Sequence, residues 1–552
     1  MPIIEISAID LKKFIGKLDF GEIEKYSKLE ISESENSDIL NVEVKDSNRP
    51  DLLSTEGIAR ELKGIFGKER GLAKYDLKDS NFILHAENVK ARPEIVCAVV
   101  KNIKLNEFAI KQIIQLQEKL CEGFGRKRKE AAVGVYDFDK IKWPVTYKSI
   151  KPDAIKFIPL DMEEELTPRQ ILIKHEKGRE YAKLLENESE YPLVIDSANK
   201  VLSMPPVINS NYSGKVTGQT KNLFVEVTGF DREKIMLALN IMVAALADRG
   251  GEIYSVKVQC SANSPNINKE RKFTSPEFKT KTKKFSVQEA NERLGLDLDA
   301  KKIISLAEKA RYNAKAKGNE IEIEVPFYRA DILHPVDIIE DIAIAYGYEN
   351  IAPEDMKIFT TGKILGETKT ANKIADIITG LGFQEIAALN FSNKNDLFKK
   401  MNQKEMEVIE IENPVSLSYS CLRNWLLPSL MNVLSQNTTN QYPQKIFEIG
   451  TAVIPSSGEV KSETIQKLAM AISENKVNFT DIKQIIYYIL GNLDVKFEIR
   501  QSEHPSFISG RQAEIVINKK AAGIFGEINP KVLASWGIDM PTAALEINLS
   551  EI

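Results

Sequence analysis

Cysteine is scarce in this 552-residue chain: Cys97, Cys121, Cys260 and Cys421 are far apart and form no CxxC pair. That excludes a zinc ribbon and a disulfide framework, and a reducing, cytoplasmic setting is expected. Histidine is equally rare. His85, His175, His334 and His504 are scattered and no HExxH motif occurs, so a local zinc-hydrolase signature is excluded and a nucleophile–histidine pair could arise only by tertiary contact. Long apolar runs are missing as well. The longest, IMLALNIMVAALA from Ile235 to Ala247, is interrupted by Asn240. It falls short of the roughly 20 residues that a bilayer span needs and reads as a buried core helix. The first residues, MPIIEISAIDLKKFIG, carry early acids and no apolar core region, so no signal peptide is expected. Nor is one sign of charge in excess. Lys and Arg number 75 against 79 Asp and Glu, a net charge of −4. A general polyanion-binding surface is excluded, and nucleic-acid contact must come from local basic patches or a partner chain.

What is present is an ordinary soluble composition in a chain long enough for three to five domains at roughly 100–200 residues each. Four blocks are expected, with no repeat of fixed period. Residues 1–75 form an N-terminal α+β domain, ending in NRPDLLSTEGIARELKGIFG. There Asn48–Asp51 reads as a turn, Ser54 as a helix N-cap and Gly67 as the stop, with Ile58, Leu62, Ile65 and Phe66 on the apolar stripe. Residues 85–265 mix strand-like runs (IVCAVVKNI, YPLVID, NLFVEVTGF, IYSVKVQC) with helices near 106–122 and 232–248, an α+β domain. A polar linker or edge segment, SANSPNINKERKFTSPEFKTKTKKF, follows. Residues 276–352 order as helix, helix, strand, helix, which suggests a winged-helix-like module. Residues 353–552 alternate helices with strands, EVIEIEN and KIFEIGTAVI among them. That pattern suits a large, mostly antiparallel sheet with helices on one side.

One segment concentrates charge. In RADILHPVDIIEDIAIAYGYENI, Asp331, Asp337, Glu340 and Asp341 lie among isoleucines. Pro335 suits a first helical position and Gly347 the position past the end. Ile338, Ile339, Ile342 and Ala345 make the apolar face, and Asp337, Glu340 and Asp341 share another. Acids in a first helical turn complement the helix dipole by roughly 0.3–1 kcal/mol each, while like charges three or four residues apart cost roughly 0.2–0.5 kcal/mol per pair. The dipole accommodates two acids but gives no reason for four. Two readings stay open: a solvated acidic face, or a hard-cation site in which Mg²⁺ neutralises the carboxylates.

Three segments together carry a family resemblance: NRPDLLSTEGIARELKGIFG, the acidic segment above, and NPVSLSYSCLRNWLLPSLMNVLSQNTTNQYPQKIFEIG. With YPLVID, LSMPPVINSN, NLFVEVTGFD, HPSFISGRQAEI and GIFGEINPKVL, in order over nearly the whole chain, they resemble the β chain of phenylalanine–tRNA ligase in its archaeal/eukaryotic-type form. The resemblance implies an (αβ)₂ tetramer that attaches phenylalanine to tRNA(Phe) at the expense of ATP, with the synthetic site on the α chain. It implies that Asp331, Asp337, Glu340 and Asp341 hold Mg²⁺, with the ion shared with the α chain. It implies a tRNA-editing domain at 85–265 that hydrolyses tyrosine wrongly attached to the tRNA. It also implies a class II synthetase-like sheet domain at 353–552 that has lost catalysis and pairs with the α chain; Arg423 and Arg511 stand alone there as fold or interface residues. Faces around Trp425 and Tyr442 are either that interface or internal packing.

For editing, SMPPVINSN offers a rigid polar loop, and Glu226 and Thr228 point the same way on their strand. Glu226 would accept the phenol proton or orient water, while Thr228 and Asn209 would bind the ester or sugar; a solvent-facing strand pair is the plain alternative. Arg126, Lys127 and Arg128, in the basic run GRKRKE, would meet tRNA phosphates or be a solvated loop. Two positions depart from the family pattern. Phe230 stands where a small polar residue is usual, which is expected to narrow the pocket, and Asn529 stands where histidine is usual. The chain is also expected to lack the extra N-terminal RNA-binding and C-terminal anticodon-binding parts of the bacterial-type β chain. A free-standing trans-editing protein and a scaffold with a dead editing site are the competing readings.

Overall fold

The computed structural model describes residues 2–34, 38–261, 271–356 and 358–552. The chain divides into two units, Met1–Asp355 and Met356–Ile552.

The first unit opens with a three-stranded antiparallel sheet in which Ile39–Val44 runs between Ile3–Ser7 and Leu29–Glu33. Leu40, Val42 and Val44 alternate inward toward Leu11, Ile58 and Leu62. The helix Thr55–Ile65 starts where expected, because the Ser54 hydroxyl accepts from the Gly57 amide at 3.1 Å. Gly67 follows its end in the left-handed region at φ 70°.

Two sheets then pack face to face. One has five strands in the order Leu77–Lys78, Glu252–Tyr254, Glu94–Lys101, Leu223–Gly229, Ala131–Asp137. The other has seven, in the order Ile208–Asn209, Val201–Met204, Tyr191–Ile195, Val145–Ile150, Ile83–Ala86, Val256–Cys260, Lys272–Ser275. One face of the five-stranded sheet (Val96, Ala98, Val225, Val227) packs on the helix Arg232–Asp248. The other (Cys97, Val99, Tyr136, Phe224) packs on Leu84, Val145 and Val194 of the second sheet. The central strands are therefore buried on both faces, and Leu223–Gly229 has no solvent-facing side. The helix Arg232–Asp248 is the apolar run, and its Asn240 donates to the Glu277 carbonyl at 2.9 Å. Among the described residues no helix is long and apolar enough to cross a membrane.

Of the two readings of the lysine-rich segment, linker or edge segment, the second holds for its described strands. Residues 262–270 lie outside the described residues, but Lys272–Ser275 and Lys281–Ser286 are strands, each at the edge of its sheet. Lysine on an edge strand blocks further pairing, and that same lysine content hides the strand from a reading by composition. Lys281–Ser286 pairs with Glu320–Val325, which also pairs with Asn313–Lys317. The helices Val287–Leu294, Ala300–Lys309 and Pro335–Tyr346 cover this small sheet.

The second unit is a seven-stranded sheet in the order Gln384–Glu385, Gln444–Pro455, Ser462–Ser473, Thr542–Asn548, Lys520–Ile528, Phe507–Ile517, Phe497–Gln501. Only the first pair is parallel. Helices cover both faces, not one. Phe447, Met470 and Leu545 pack with Ile374 and Ile486 of the helices Gly366–Gly380 and Phe479–Asn492. On the other side, Ala469, Ala471 and Ala544 pack with Leu430 and Val532 of Leu427–Gln436 and Pro530–Trp536. The small alanines on one face let helices sit close, so the strands read as less apolar than a two-sided sheet usually does. EVIEIEN forms no strand; only a single bridge, Glu410 with Cys421, survives of it. Trp425 is 8% exposed and donates to the Leu397 carbonyl within its own unit, so it is internal packing. Tyr442 is half-buried. Asn529 caps the helix Pro530–Trp536 by accepting from the Lys531 amide at 3.0 Å.

Candidate functional site

Glu226 sits mid-strand in Leu223–Gly229, opposite Gly134 on one neighbouring strand and Cys97 on the other. It is 2% exposed, so the solvent-facing reading fails. The Tyr136 hydroxyl donates to its Oε1 at 2.8 Å. Its Oε2 is buried and has no hydrogen-bond partner among the described residues. Burial pushes the carboxyl up to about 7, against the Tyr136 hydrogen bond and the positive charge of Arg92, which both pull it down.

Glu226 forms part of the wall of a cleft of about 780 Å³. Apolar side chains (Ile113, Val133, Val135) and the loop Pro205–Asn209 line it. Asn209 belongs to this lining, and its side-chain amide donates to the Val135 carbonyl at 3.3 Å. Polar and charged side chains, Lys174, Lys177, Arg179 and Lys215 among them, line the cleft as well. Thr228 does not line the cleft. It is fully buried, its hydroxyl accepting from Arg92 Nε at 2.9 Å and its carbonyl from Arg92 Nη2 at 2.7 Å. Phe230 is not among the lining residues either. It is 46% exposed, with its ring 5.7 Å from the Arg92 guanidinium, so its bulk does not narrow the cleft.

The basic run divides. Arg126, Lys127 and Arg128 adopt φ of 48°, 53° and 63°, three consecutive left-handed residues without a glycine among them. Each such residue costs roughly 1–2 kcal/mol, offset in part by amides donating back to the Glu122 and Cys121 carbonyls, both at 2.9 Å. Arg126 and Lys127 point to solvent, pairing with Glu130 and Glu122. Arg128 turns inward to the cleft, donating to the Pro206 and Val207 carbonyls at 3.2 and 2.8 Å and lying over Tyr181 at 4.2 Å. It is a brace for the loop and not a surface cation.

Sequence reasoning missed three residues here: Tyr136, Arg92 and His175. Each acts on partners distant along the chain, and no local motif marks them. His175 lines the cleft, but its Nδ1 accepts from the Lys177 amide and its Nε2 meets the Leu160 carbonyl, both at 3.1 Å. Both nitrogens are engaged, which fixes the proton on Nε2 and leaves no base.

The four acids of Asp331–Asp341 do not converge. The helix Pro335–Tyr346 has the boundaries the sequence predicts. Asp337 closes its N-terminus, accepting from the His334 and Leu333 amides at 2.7 and 2.8 Å. Glu340 reaches outward to Lys28 at 2.9 Å. Asp331 and Asp341 are held by one buried cation, Arg329, at 2.5 and 2.8 Å, and Asp341 also accepts from the Tyr312 hydroxyl. Burial would raise Asp331, yet Arg329 and Arg49 together hold it below the usual carboxylate range. Among the described residues no group of three or more His, Cys, Asp or Glu could hold a metal. The residues therefore do not fit a four-carboxylate Mg²⁺ site as arranged. The crowding that suggested a cation is answered by Arg329, Arg49 and Lys28.

In the second unit, Arg423 is fully buried and paired with Glu448 at 2.8 and 3.1 Å. Arg511 is exposed and paired with Glu527 at 2.7 Å.

Two family models match. Residues 283–348 match one described as "tRNA synthetase B5 domain", and 354–549 match one described as "Phenylalanyl tRNA synthetase beta chain CLM domain". They place the chain among the aminoacyl-tRNA synthetases. The whole chain is 44% identical to the phenylalanine–tRNA ligase β subunit of Thermococcus sibiricus and 43% identical to that of Pyrococcus horikoshii, covering 98% and 99% of those proteins. A crystal structure of an N-terminal fragment of the Pyrococcus horikoshii β subunit aligns with a TM-score of 0.59 at 42% identity, over 62% of this chain and 99% of that one. The chain belongs to the phenylalanine–tRNA ligase β-subunit family, subunits of an aminoacyl-tRNA synthetase.

Proposed function

We propose that the chain works with an α subunit in an (αβ)₂ tetramer, and that its own cleft hydrolyses tyrosine wrongly esterified to tRNA(Phe). ATP-dependent attachment of phenylalanine then belongs to the α chain. The observation that carries the hydrolytic reading is Glu226: a buried carboxyl on the wall of a cleft lined by both apolar and charged side chains, with one oxygen unpartnered.

The need is physical. An apolar phenylalanine pocket rejects a ligand that merely adds a hydroxyl only about 10²-fold, whereas a site that hydrogen-bonds the hydroxyl separates the two by roughly 10⁴ or more. In the cleft, the tyrosine ring lies against the apolar wall and its hydroxyl donates to Glu226. Asn209, also in the lining, meets the ester or the terminal ribose. Water adds to the ester carbonyl carbon, the bond to the ribose oxygen breaks, and that oxygen takes a proton. Arg126 and Lys127 carry exposed charge for tRNA phosphates, while Arg128 holds the Pro206–Val207 loop. The acids of 331–341 take a structural role: Glu340 ties the winged-helix-like module to Lys28 beside the N-terminal sheet, Asp337 caps its helix, Asp331 and Asp341 hold Arg329, and no step runs through a metal.

Co-expression with an α-type chain tests both parts. A stable heterotetramer that deacylates tyrosyl-tRNA(Phe) supports the proposal. A chain that edits without an α partner points to a trans-editing protein, and a tetramer without deacylation to a scaffold with a dead site.

A further inference from the structure

Tyr136 and Glu226 form a buried pair that packing alone does not call for. The Tyr136 hydroxyl is fully buried and donates a hydrogen bond to Glu226 Oε1. Two apolar side chains would fill the same space without desolvating a carboxyl. A third residue is adapted to the pair. Gly134 stands opposite Glu226 on the strand that carries Tyr136. A Cβ there would lie 2.2 Å from the Tyr136 hydroxyl oxygen and 2.6 Å from Glu226 Oε1, so only glycine leaves the hydrogen bond room. The tyrosine ring is itself fixed against Phe224, with centroids 5.6 Å apart. One carboxyl oxygen is thus occupied by a rigid internal phenol, and the other is left without a partner beside the cleft.

We propose that Tyr136 is the positioning residue of the hydroxyl-reading site: by tying down Oε1 it directs Oε2 at the para-hydroxyl of an aromatic acyl group in the cleft. This rests on the hydrolytic reading above and adds the geometry of its selectivity. An untethered carboxyl turns about its terminal bond and meets hydroxyls at several heights. A tethered one presents a single acceptor at one height. The site therefore takes para-hydroxyphenyl aminoacyl esters and discriminates against both the plain phenyl ester, which leaves Oε2 unsatisfied, and the meta-hydroxyphenyl ester, whose hydroxyl misses it.

The test uses the assembled ligase and measures deacylation of tRNA(Phe) charged with tyrosine, meta-tyrosine or phenylalanine. Tyr136→Phe keeps the ring and removes only the tether. KM for the tyrosyl ester should rise about tenfold or more, with a smaller change in kcat, and the preference for para- over meta-tyrosine should collapse. Gly134→Ala should do the same by pushing the pair apart. The Tyr136→Phe, Glu226→Ala double variant should be no worse than Glu226→Ala alone, since Tyr136 acts only through Glu226. An impaired Glu226→Ala ligase beside a Tyr136→Phe ligase with unchanged preference overturns this proposal alone. An unimpaired Glu226→Ala ligase overturns the hydrolytic reading with it.

Discussion

Replacing Glu226 by glutamine removes a titrating group from the cleft wall at almost constant volume, and the consequence for stability has a definite sign. The carboxyl's ordinary value is 4.5, and burial raises it to about 7 in the fold. Between those pH values the folded chain keeps a proton that the unfolded chain has lost, so stability falls as pH rises through that window. At about 1.4 kcal/mol per pH unit, the full penalty is roughly 3 kcal/mol, absent below pH 4.5 and complete above about pH 7. Glutamine escapes it. Its side-chain carbonyl still accepts from Tyr136, and it carries no charge to bury. Urea unfolding of wild type and Glu226→Gln at pH 5 and pH 8 should show the variant ahead by no more than about 1 kcal/mol at the lower pH. At the higher pH the variant should be more stable by about 3 kcal/mol. A difference between the two proteins that does not change with pH would refute the claim that a desolvated carboxyl stands at this position.

Arg329→Met removes the cation shared by Asp331 and Asp341. Two buried carboxylates are then left without it, and a loss of about 3–5 kcal/mol in thermal or urea unfolding is expected. Because Arg329, Arg49 and Lys28 neutralise the acidic segment, a chelator should leave the thermal unfolding of the isolated chain unchanged. Phe230→Thr should leave deacylation of tyrosyl-tRNA(Phe) by the ligase unchanged, since Phe230 lies over Arg92 outside the cleft.

Local signals carried far in this chain. Ser54 and Gly67 bracket one helix and Pro335 and Gly347 another, because caps and stops act on the few residues beside them. What depended on distant partners was not legible. Glu226 could be placed on a strand, but its burial comes from a second sheet, and its hydrogen bond from Tyr136, 90 positions away. Thr228 looked like its functional twin by alternation, yet Arg92 takes both of its oxygens. The acidic segment misled for the same reason. Charge was counted along the chain, while the compensation comes from Lys28, 312 positions away, and from Arg329, whose place between two of the acids only the fold reveals. The lysine-rich edge strands left linker and edge segment both open, because their charge leaves almost no apolar pattern to read. The two-sided sheet of the second unit read as one-sided because one of its faces is lined by alanine.

The most direct test of the account is the rate at which the assembled ligase deacylates tyrosyl-tRNA(Phe), measured side by side for wild type and Glu226→Ala. Rapid hydrolysis by the wild type and a marked loss in the variant are expected, with phenylalanyl-tRNA(Phe) spared by the wild-type ligase. Equal hydrolysis of tyrosyl-tRNA(Phe) by the two proteins would contradict it.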